Sequence, residues 1–182
     1  MARARHPEMK YEFILKFKLA AGDSNADGVV ERLGAAGCDD ALVGMGHPGR
    51  IALNFTRDHD SAERAVMSAL KDVKRAIPEA KLLEVDPDFV GLTDVAELVG
   101  VTRQNMRKLM MTHTDSFPAA VHEGNSAIWH LAHVLRWLSE RDGYRIKQSL
   151  LDVAYIAMQI NLIREAGQLE PRVRREARAL VA

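Results

Sequence analysis

The sequence predicts an α+β protein, and three observations lead to this prediction. Apolar and polar residues alternate in the N-terminal half, most clearly from Tyr11 to Leu19, which is the pattern of a strand with one buried face. In the C-terminal half, apolar residues instead recur at helical spacing. Residues that end helices, such as Gly37 and Pro78, separate the segments. Hydrophobic residues form 47% of the 182-residue chain, which is enough for packed cores.

Four strands and two helices are predicted in the N-terminal half. Residues 1–10 are expected to be a flexible tail, and the predicted strands are 11–19, 41–45, 50–56 and 81–85. The first helix is predicted at 26–36, and the second is opened by a capping box of Asp60 and Glu63 and stopped by Pro78. The order β-α-β-β-α-β over residues 11–87 indicates a ferredoxin-like domain, an antiparallel sheet with both helices on one face.

The second face of this predicted sheet is mostly polar. Topology alone assigns it no function, because many unrelated activities use this arrangement. A solvated face is the simplest interpretation, and ligand sensing or self-pairing through it is the alternative. The residues expected there are Glu12, Ile14, Lys16, Lys18, Asn54 and Thr56.

After a short linker at residues 86–88, the pattern predicts two short helices joined by a glycine turn. Thr93 is the expected N-cap of a helix over 94–99, and Gly100 is placed where that helix must stop. Thr102 is the expected N-cap of a second helix over 103–111.

The second of these helices has the composition of a DNA recognition helix. Met106, Leu109 and Met110 share one side and should pack on the preceding helix. The remaining side chains include cations for phosphates and amides that can read adenine edges, and no acidic residue lies between Val101 and Thr114.

Two short strands of a wing are predicted next, at Phe117 to Val121 and at Ile128 to Trp129, with a turn around Gly124-Asn125. A helix follows whose apolar face should close a small core. That face contains Leu131, Val134, Leu135, Trp137 and Leu138.

The landmarks LTDVAELVGVTRQNMRKLM, FPAAV, IWH and VLRWL occur in this order between about residues 91 and 141. In that order they resemble the winged helix-turn-helix of the AlpA, excisionase and MerR-like group of bacterial and phage regulators. The resemblance implies that residues 102–108 enter the major groove and that the wing touches the backbone or the minor groove. That group usually carries an arginine near the wing tip, whereas residues 122–126 contain none. The expected DNA contacts are Thr102, Arg103, Gln104, Asn105, Arg107 and Lys108 of the helix and His122, Asn125 and Ser126 of the wing.

A last long helix is predicted over residues 148–166, with apolar residues around most of its circumference. Such a helix must be covered on more than one side. Packing against the N-terminal half is one interpretation, and a homodimer contact, favoured because symmetric regulators bind paired half-sites, is the other. A basic tail follows, with arginines at 172, 174, 175 and 178.

Several other classes of function are disfavoured. The single cysteine, Cys38, cannot form an intramolecular disulfide or a cysteine-rich zinc site. Residues 44–49 match G-x-G-x-x-G, but a strand rather than a helix follows, so a nucleotide site is not expected. Although His122, His130 and His133 could converge, they have no acidic or cysteine partner at ligand spacing, so neither a metal nor another cofactor is expected.

We therefore expect a cytoplasmic protein that binds double-stranded DNA sequence-specifically and acts as a transcriptional regulator, with no membrane association and no enzymatic activity. The alternative is a protein-interaction module, such as an antitoxin or adaptor, in which the helix-turn-helix is structural. A small-molecule effector is left open.

Overall fold

The computed structural model describes residues 9–23 and 25–181. It shows a mixed α+β fold with a four-stranded antiparallel sheet. Residues 1–8 of the expected tail lie outside the described residues, and the first strand already begins at Met9. The elements of this half are β1 (Met9–Lys18), α1 (Ala26–Ala35), β2 (Ala41–Gly44), β3 (Arg50–His59), α2 (Ala62–Ala76) and β4 (Lys81–Asp86).

The sheet has the strand order β2-β3-β1-β4, and all its neighbouring pairs are antiparallel. The alternation predicted for β1 is confirmed, because Tyr11, Phe13, Leu15 and Phe17 are all buried. These side chains share one core with apolar residues of both helices, including Val29, Leu33, Val66, Ala69 and Val73. On the second face, Glu12, Lys18, Asn54 and Thr56 are exposed, whereas Ile14 and Lys16 are half-buried.

The larger differences from the sequence prediction in this half concern α2 and β3. Ser61, and not Asp60, caps α2, because the extended Ser61 places its hydroxyl to accept from the Arg64 amide at 3.3 Å. Strand β3 continues to His59, three residues further than predicted. Its extension carries the buried Arg57, whose guanidinium donates to Asp40 and Asp72 at 2.7 and 2.8 Å.

The second half contains a small two-stranded sheet and five helices. The elements are β5 (Phe89–Val90), α3 (Leu92–Val99), α4 (Arg103–Thr112), β6 (Trp129–His130), α5 (Leu131–Ser139), α6 (Gln148–Ala166) and α7 (Pro171–Val181). A second core joins α3, α4 and α5, with Val95, Met106 and Leu135 at its centre. Among the described residues, no helix is long and apolar enough to cross a membrane.

Helix α6 has the predicted bounds and packs within the chain against both cores. Val153 and Ala157 belong to the core of the large sheet, whereas Ala154 and Met158 belong to the second core. The requirement that its apolar circumference be covered is therefore largely met inside the chain. Leu162 and Ile163 remain exposed near its C-terminal end. The arginines predicted in a basic tail lie on the exposed helix α7.

The predicted linker at residues 86–88 is an anchored segment. Asp88 is completely buried, and its backbone carbonyl accepts from the Leu131 amide at 2.7 Å. His130 Nδ1 donates to Asp88 Oδ1 at 2.7 Å, and Asn161 Nδ2 donates to Asp88 Oδ2 at 2.8 Å. The segment between the two halves is thus fixed to β6, α5 and α6.

Candidate nucleic-acid interface

Helix α3 begins two residues earlier than predicted, so the prediction that Thr93 is its N-cap is wrong. The N-cap is Gly91, and its amide donates to Asp94 Oδ2 at 2.7 Å. The carboxylate within the first turn therefore satisfies the helix end, and a hydroxyl before the turn is not needed. Thr93 is instead exposed on the first turn of α3.

The turn between α3 and α4 follows the sequence prediction. Gly100 adopts a left-handed backbone with φ of +73°, and the Val101 amide donates to the Ala96 carbonyl at 2.9 Å. Thr102 Oγ1 then accepts from the Asn105 amide at 3.1 Å. The αL glycine and the threonine cap together fix the angle at which α4 leaves α3.

One side of α4 is held by the second core. Met106 is completely buried, and Leu109 and Met110 are half-buried against the same cluster. This confirms the predicted apolar underside. Because the underside is fixed, the opposite side of the helix must face solvent.

The predicted DNA-contacting residues of α4 are all exposed. Of the cations, Arg103, Arg107 and Lys108 form no ion pair with any described residue. The polar residues in the same exposed set are Thr102, Gln104 and Asn105. This face therefore offers free cations next to hydrogen-bonding side chains.

The structure shows only part of the strand pairing that was predicted for the wing. Within the described chain, Phe117 to Val121 is not a strand, and an isolated bridge between His122 and Ile128 replaces the expected ladder. The strand at Trp129 pairs instead with β5, where Val90 lies opposite it. The buried Asp88 brings β5 alongside β6, because its carbonyl holds the start of α5.

Aromatic packing fixes the segment between α4 and the wing. Phe117 contacts Trp129 and Trp137 edge to face, with ring centroids 6.0 and 5.0 Å apart. Trp129 Nε1 donates to the Pro118 carbonyl at 3.0 Å. The guanidinium of Arg141 lies 3.4 Å from the Trp137 ring centroid. The turn after α4 is thereby held to α5.

A groove of about 780 Å³ lies between α4, the start of α3 and the wing. Arg103 and Arg107 line it together with Asn125 and Ser126, so these four predicted residues are brought together. The predicted residues outside its lining are Thr102, Gln104, Asn105, Lys108 and His122. The groove is not uniformly basic, since Glu123 also lines it.

Two features near this interface were not predicted from the sequence. Thr93, which was expected to be a cap, lines the groove from the first turn of α3. The second feature is the hydrogen bond between Asp88 and His130, which fixes β6 to the segment before β5. A buried aspartate in a short linker reads as a turn residue, so no local pattern indicated this role.

The three histidines considered for a metal do not form one cluster. His130 is buried against Asp88, and its ring lies 5.6 Å from that of His133, whereas His122 belongs to the wing bridge. His133 is exposed, and partial desolvation by its neighbours, reinforced by the charges of His130 and Arg136, lowers its pKa below the ordinary value. In the described parts of the chain, no three His, Cys, Asp or Glu side chains are grouped as metal ligands.

Comparison with known proteins adds no relative to this description. No family model, curated protein or solved structure matches the chain.

Proposed function

We propose that the protein binds double-stranded DNA with sequence preference, as a transcriptional regulator, by placing α4 in the major groove. The observation that carries this proposal is the exposed face of α4. It combines three cations that have no carboxylate partner among the described residues with amide side chains, and α4 itself contains no acidic residue. Free arginines on a rigid helix are suited to bidentate contacts with guanine and to phosphates.

The roles of the individual side chains follow from where they lie. Arg103 and Arg107 face the groove beside the wing, and we assign them to base edges or to phosphates next to them. Gln104 and Asn105 supply the donor and acceptor pair that matches adenine. Lys108, a flexible point charge outside the groove lining, is assigned to phosphate. Thr102, His122, Asn125 and Ser126 are assigned to supporting contacts.

The architecture proposed for this function has two parts. The strand order β2-β3-β1-β4 with both helices on one face supports a ferredoxin-like domain for the N-terminal half. The αL turn, the capped α4 and the wing bridge support a reduced winged helix-turn-helix of the AlpA, excisionase and MerR-like type. A cytoplasmic location and a homodimer complete the proposal. The sequence prediction placed the dimer contact on the C-terminal helix, but α6 packs largely within the chain and leaves mainly Leu162 and Ile163 exposed for such a contact.

Selection of bound fragments from a random DNA pool, followed by salt titration of the selected site, tests the proposal. Several phosphate contacts must make the affinity fall steeply as salt rises. Arg107→Ala should cost about 1–3 kcal/mol and relax preference at one base pair, whereas Lys108→Ala should weaken all sequences alike.

Arg50→Ala provides the matched control. Arg50 is exposed at the start of β3 and, among the described residues, also lacks an ion pair. Its loss should leave DNA affinity unchanged. The assignment of α4 as the DNA-contacting helix would be refuted if the protein bound no DNA at any salt concentration. It would also be refuted if all three variants lost the same amount of DNA affinity.

The second candidate function is protein interaction, as in an antitoxin or adaptor. The observation in its favour is apolar exposure around the same groove, since Met111 is 61% exposed and Val121 is 52% exposed. The net charge of zero also supplies no general attraction to DNA. The same salt titration separates the candidates, because binding through an apolar groove depends only weakly on salt.

A further inference from the structure

The two edges of the large sheet differ in how their backbone groups are satisfied. At the β4 edge, the Val85 amide donates to Asn161 Oδ1 at 2.9 Å, and Asn161 Nδ2 donates to the Val85 carbonyl at 2.8 Å. The amide side chain thus takes the place of a neighbouring strand. At the opposite edge, β2 pairs with β3 and with no other described strand.

The hydrogen-bonding pattern between β2 and β3 shows which backbone amides and carbonyls of β2 point away from β3. The Thr56 amide donates to the Asp40 carbonyl at 3.1 Å, so Asp40 and Thr56 form a hydrogen-bonded pair. In an antiparallel ladder such pairs recur at every second residue, so Leu42 and Gly44 also bond to β3. The amide and carbonyl of Val43 therefore point outward along the free edge.

Apart from its shortness, four residues, this edge lacks the devices that normally prevent strand pairing. Residues 41–46 read Ala-Leu-Val-Gly-Met-Gly and contain no charge and no proline. Leu42 is 77% exposed on the open face, although it lies in a regular strand. Lysine or proline at such a position would block the approach of another strand.

We propose that β2 pairs with β2 of a second copy of this chain, antiparallel, about a two-fold axis at Val43. Val43 then exchanges both backbone hydrogen bonds with Val43 of the partner subunit. Leu42 lies opposite Gly44 of the partner subunit, where the missing side chain leaves room for the leucine. The two four-stranded sheets become one continuous sheet.

A second copy fits this edge better than an unrelated partner because the edge is self-complementary. In an antiparallel pair of β2 strands, the Val43 amide of each copy lies opposite the Val43 carbonyl of the other copy. Both copies therefore use the same surface, which makes the contact isologous. No opposite charge is needed, and residues 41–46 offer none. A four-residue strand buries less than the ~1,000 Å² of a stable interface, so the dimer forms reversibly with concentration.

Sedimentation velocity of the full-length protein over a wide concentration range tests this interface. The wild type is expected to pass from monomer to dimer as concentration rises. Leu42→Lys places two like charges in each interface, and Val43→Pro removes two hydrogen bonds without touching the ladder to β3. Loss of these two bonds should weaken dimerisation about tenfold to a hundredfold.

The matched control is Asn54→Lys. Asn54 is exposed on the same face, directly opposite Leu42 on β3, so the added charge is identical but lies one strand inside the edge. This variant should dimerise like the wild type. Hydrogen exchange gives a second readout, because the Val43 amide should be protected only at high concentration.

Three results would overturn the inference. One is a monomer mass at every concentration, and another is equal weakening by Asn54→Lys. The third is a dimer that resists both edge variants but dissociates on Ile163→Lys, which would place the contact on α6. None of these results depends on DNA, so the edge contact and the proposed DNA binding can fail separately.

Discussion

Asn161 provides the sharpest test of how the two halves of the molecule are joined. Its side chain is fully buried on α6 and makes three hydrogen bonds, two to the Val85 backbone and one to Asp88. Asn161→Leu keeps the branching at Cγ but leaves the Val85 amide, the Val85 carbonyl and one Asp88 oxygen without this partner. A buried polar group left unpaired costs about 1–3 kcal/mol. We therefore expect a loss of roughly 3–6 kcal/mol, allowing for incomplete additivity.

A loss of this size is a large part of the whole stability of a typical domain, about 5–15 kcal/mol. Urea unfolding followed by circular dichroism and by tryptophan fluorescence measures it. Both tryptophans, Trp129 and Trp137, lie in the second core, so fluorescence reports that half.

Asn54→Leu, the same substitution at an exposed position, should stay within about 0.5 kcal/mol of the wild type. If Asn161→Leu also stays within about 1 kcal/mol, water or a shifted side chain satisfies these groups, and the reasoning from the buried hydrogen bonds is refuted.

Three further predictions concern single side chains. Burial, with a smaller effect of Asp72, raises the pKa of the Cys38 thiol from 9.0 to about 11. Iodoacetamide at pH 8 should therefore label Cys38 only after unfolding, which mass spectrometry measures. Rapid labelling of the native protein would contradict this prediction. Thr102→Ala removes the α4 cap and should cost about 1 kcal/mol in urea unfolding, with Thr112→Ala at the other end of α4 as the comparison. The lowered pKa of His133 means that its stabilising contribution is complete above the ordinary value of 6.5 and is lost as the pH falls through the folded-state value. His133→Gln should therefore flatten the decline of the urea midpoint below pH 6.5, and an unchanged slope would exclude His133 as its source.

Local sequence patterns predicted the elements whose determinants lie close together in the chain. The alternation in β1, the αL Gly100 and the Thr102 cap each depend on residues within a few positions of one another, and the structure has all three. The misplaced caps have the same origin. Thr93 and Asp60 both satisfy the local preference for a side-chain oxygen at a helix start, and only the backbone conformation at Gly91 and Ser61 decides which residue is the cap.

Contacts between distant segments could not be predicted in the same way. Asn161 lies in a helix whose apolar residues surround it, and its partner Val85 is 76 residues away. From sequence alone, a polar residue at that position is equally compatible with a solvated face. The wing was overestimated for a related reason, since the pairing of β6 with β5 depends on the buried Asp88 and not on any alternation near Phe117.

The anchored segment after β4 also has a consequence for the proposed DNA binding. Val85 is bound to Asn161, Asn161 to Asp88, and Asp88 to the start of α5. Buried hydrogen bonds therefore connect the large sheet with the second core, which holds α3, α4 and α5. Helix α6 adds packing to both cores. A dimer formed through β2 would therefore hold its two α4 helices at one fixed separation. The major groove faces the same side of the duplex only once per helical turn, about 10–10.5 base pairs. Such a dimer would therefore bind two half-sites at one spacing and would not bind a site lengthened by half a turn.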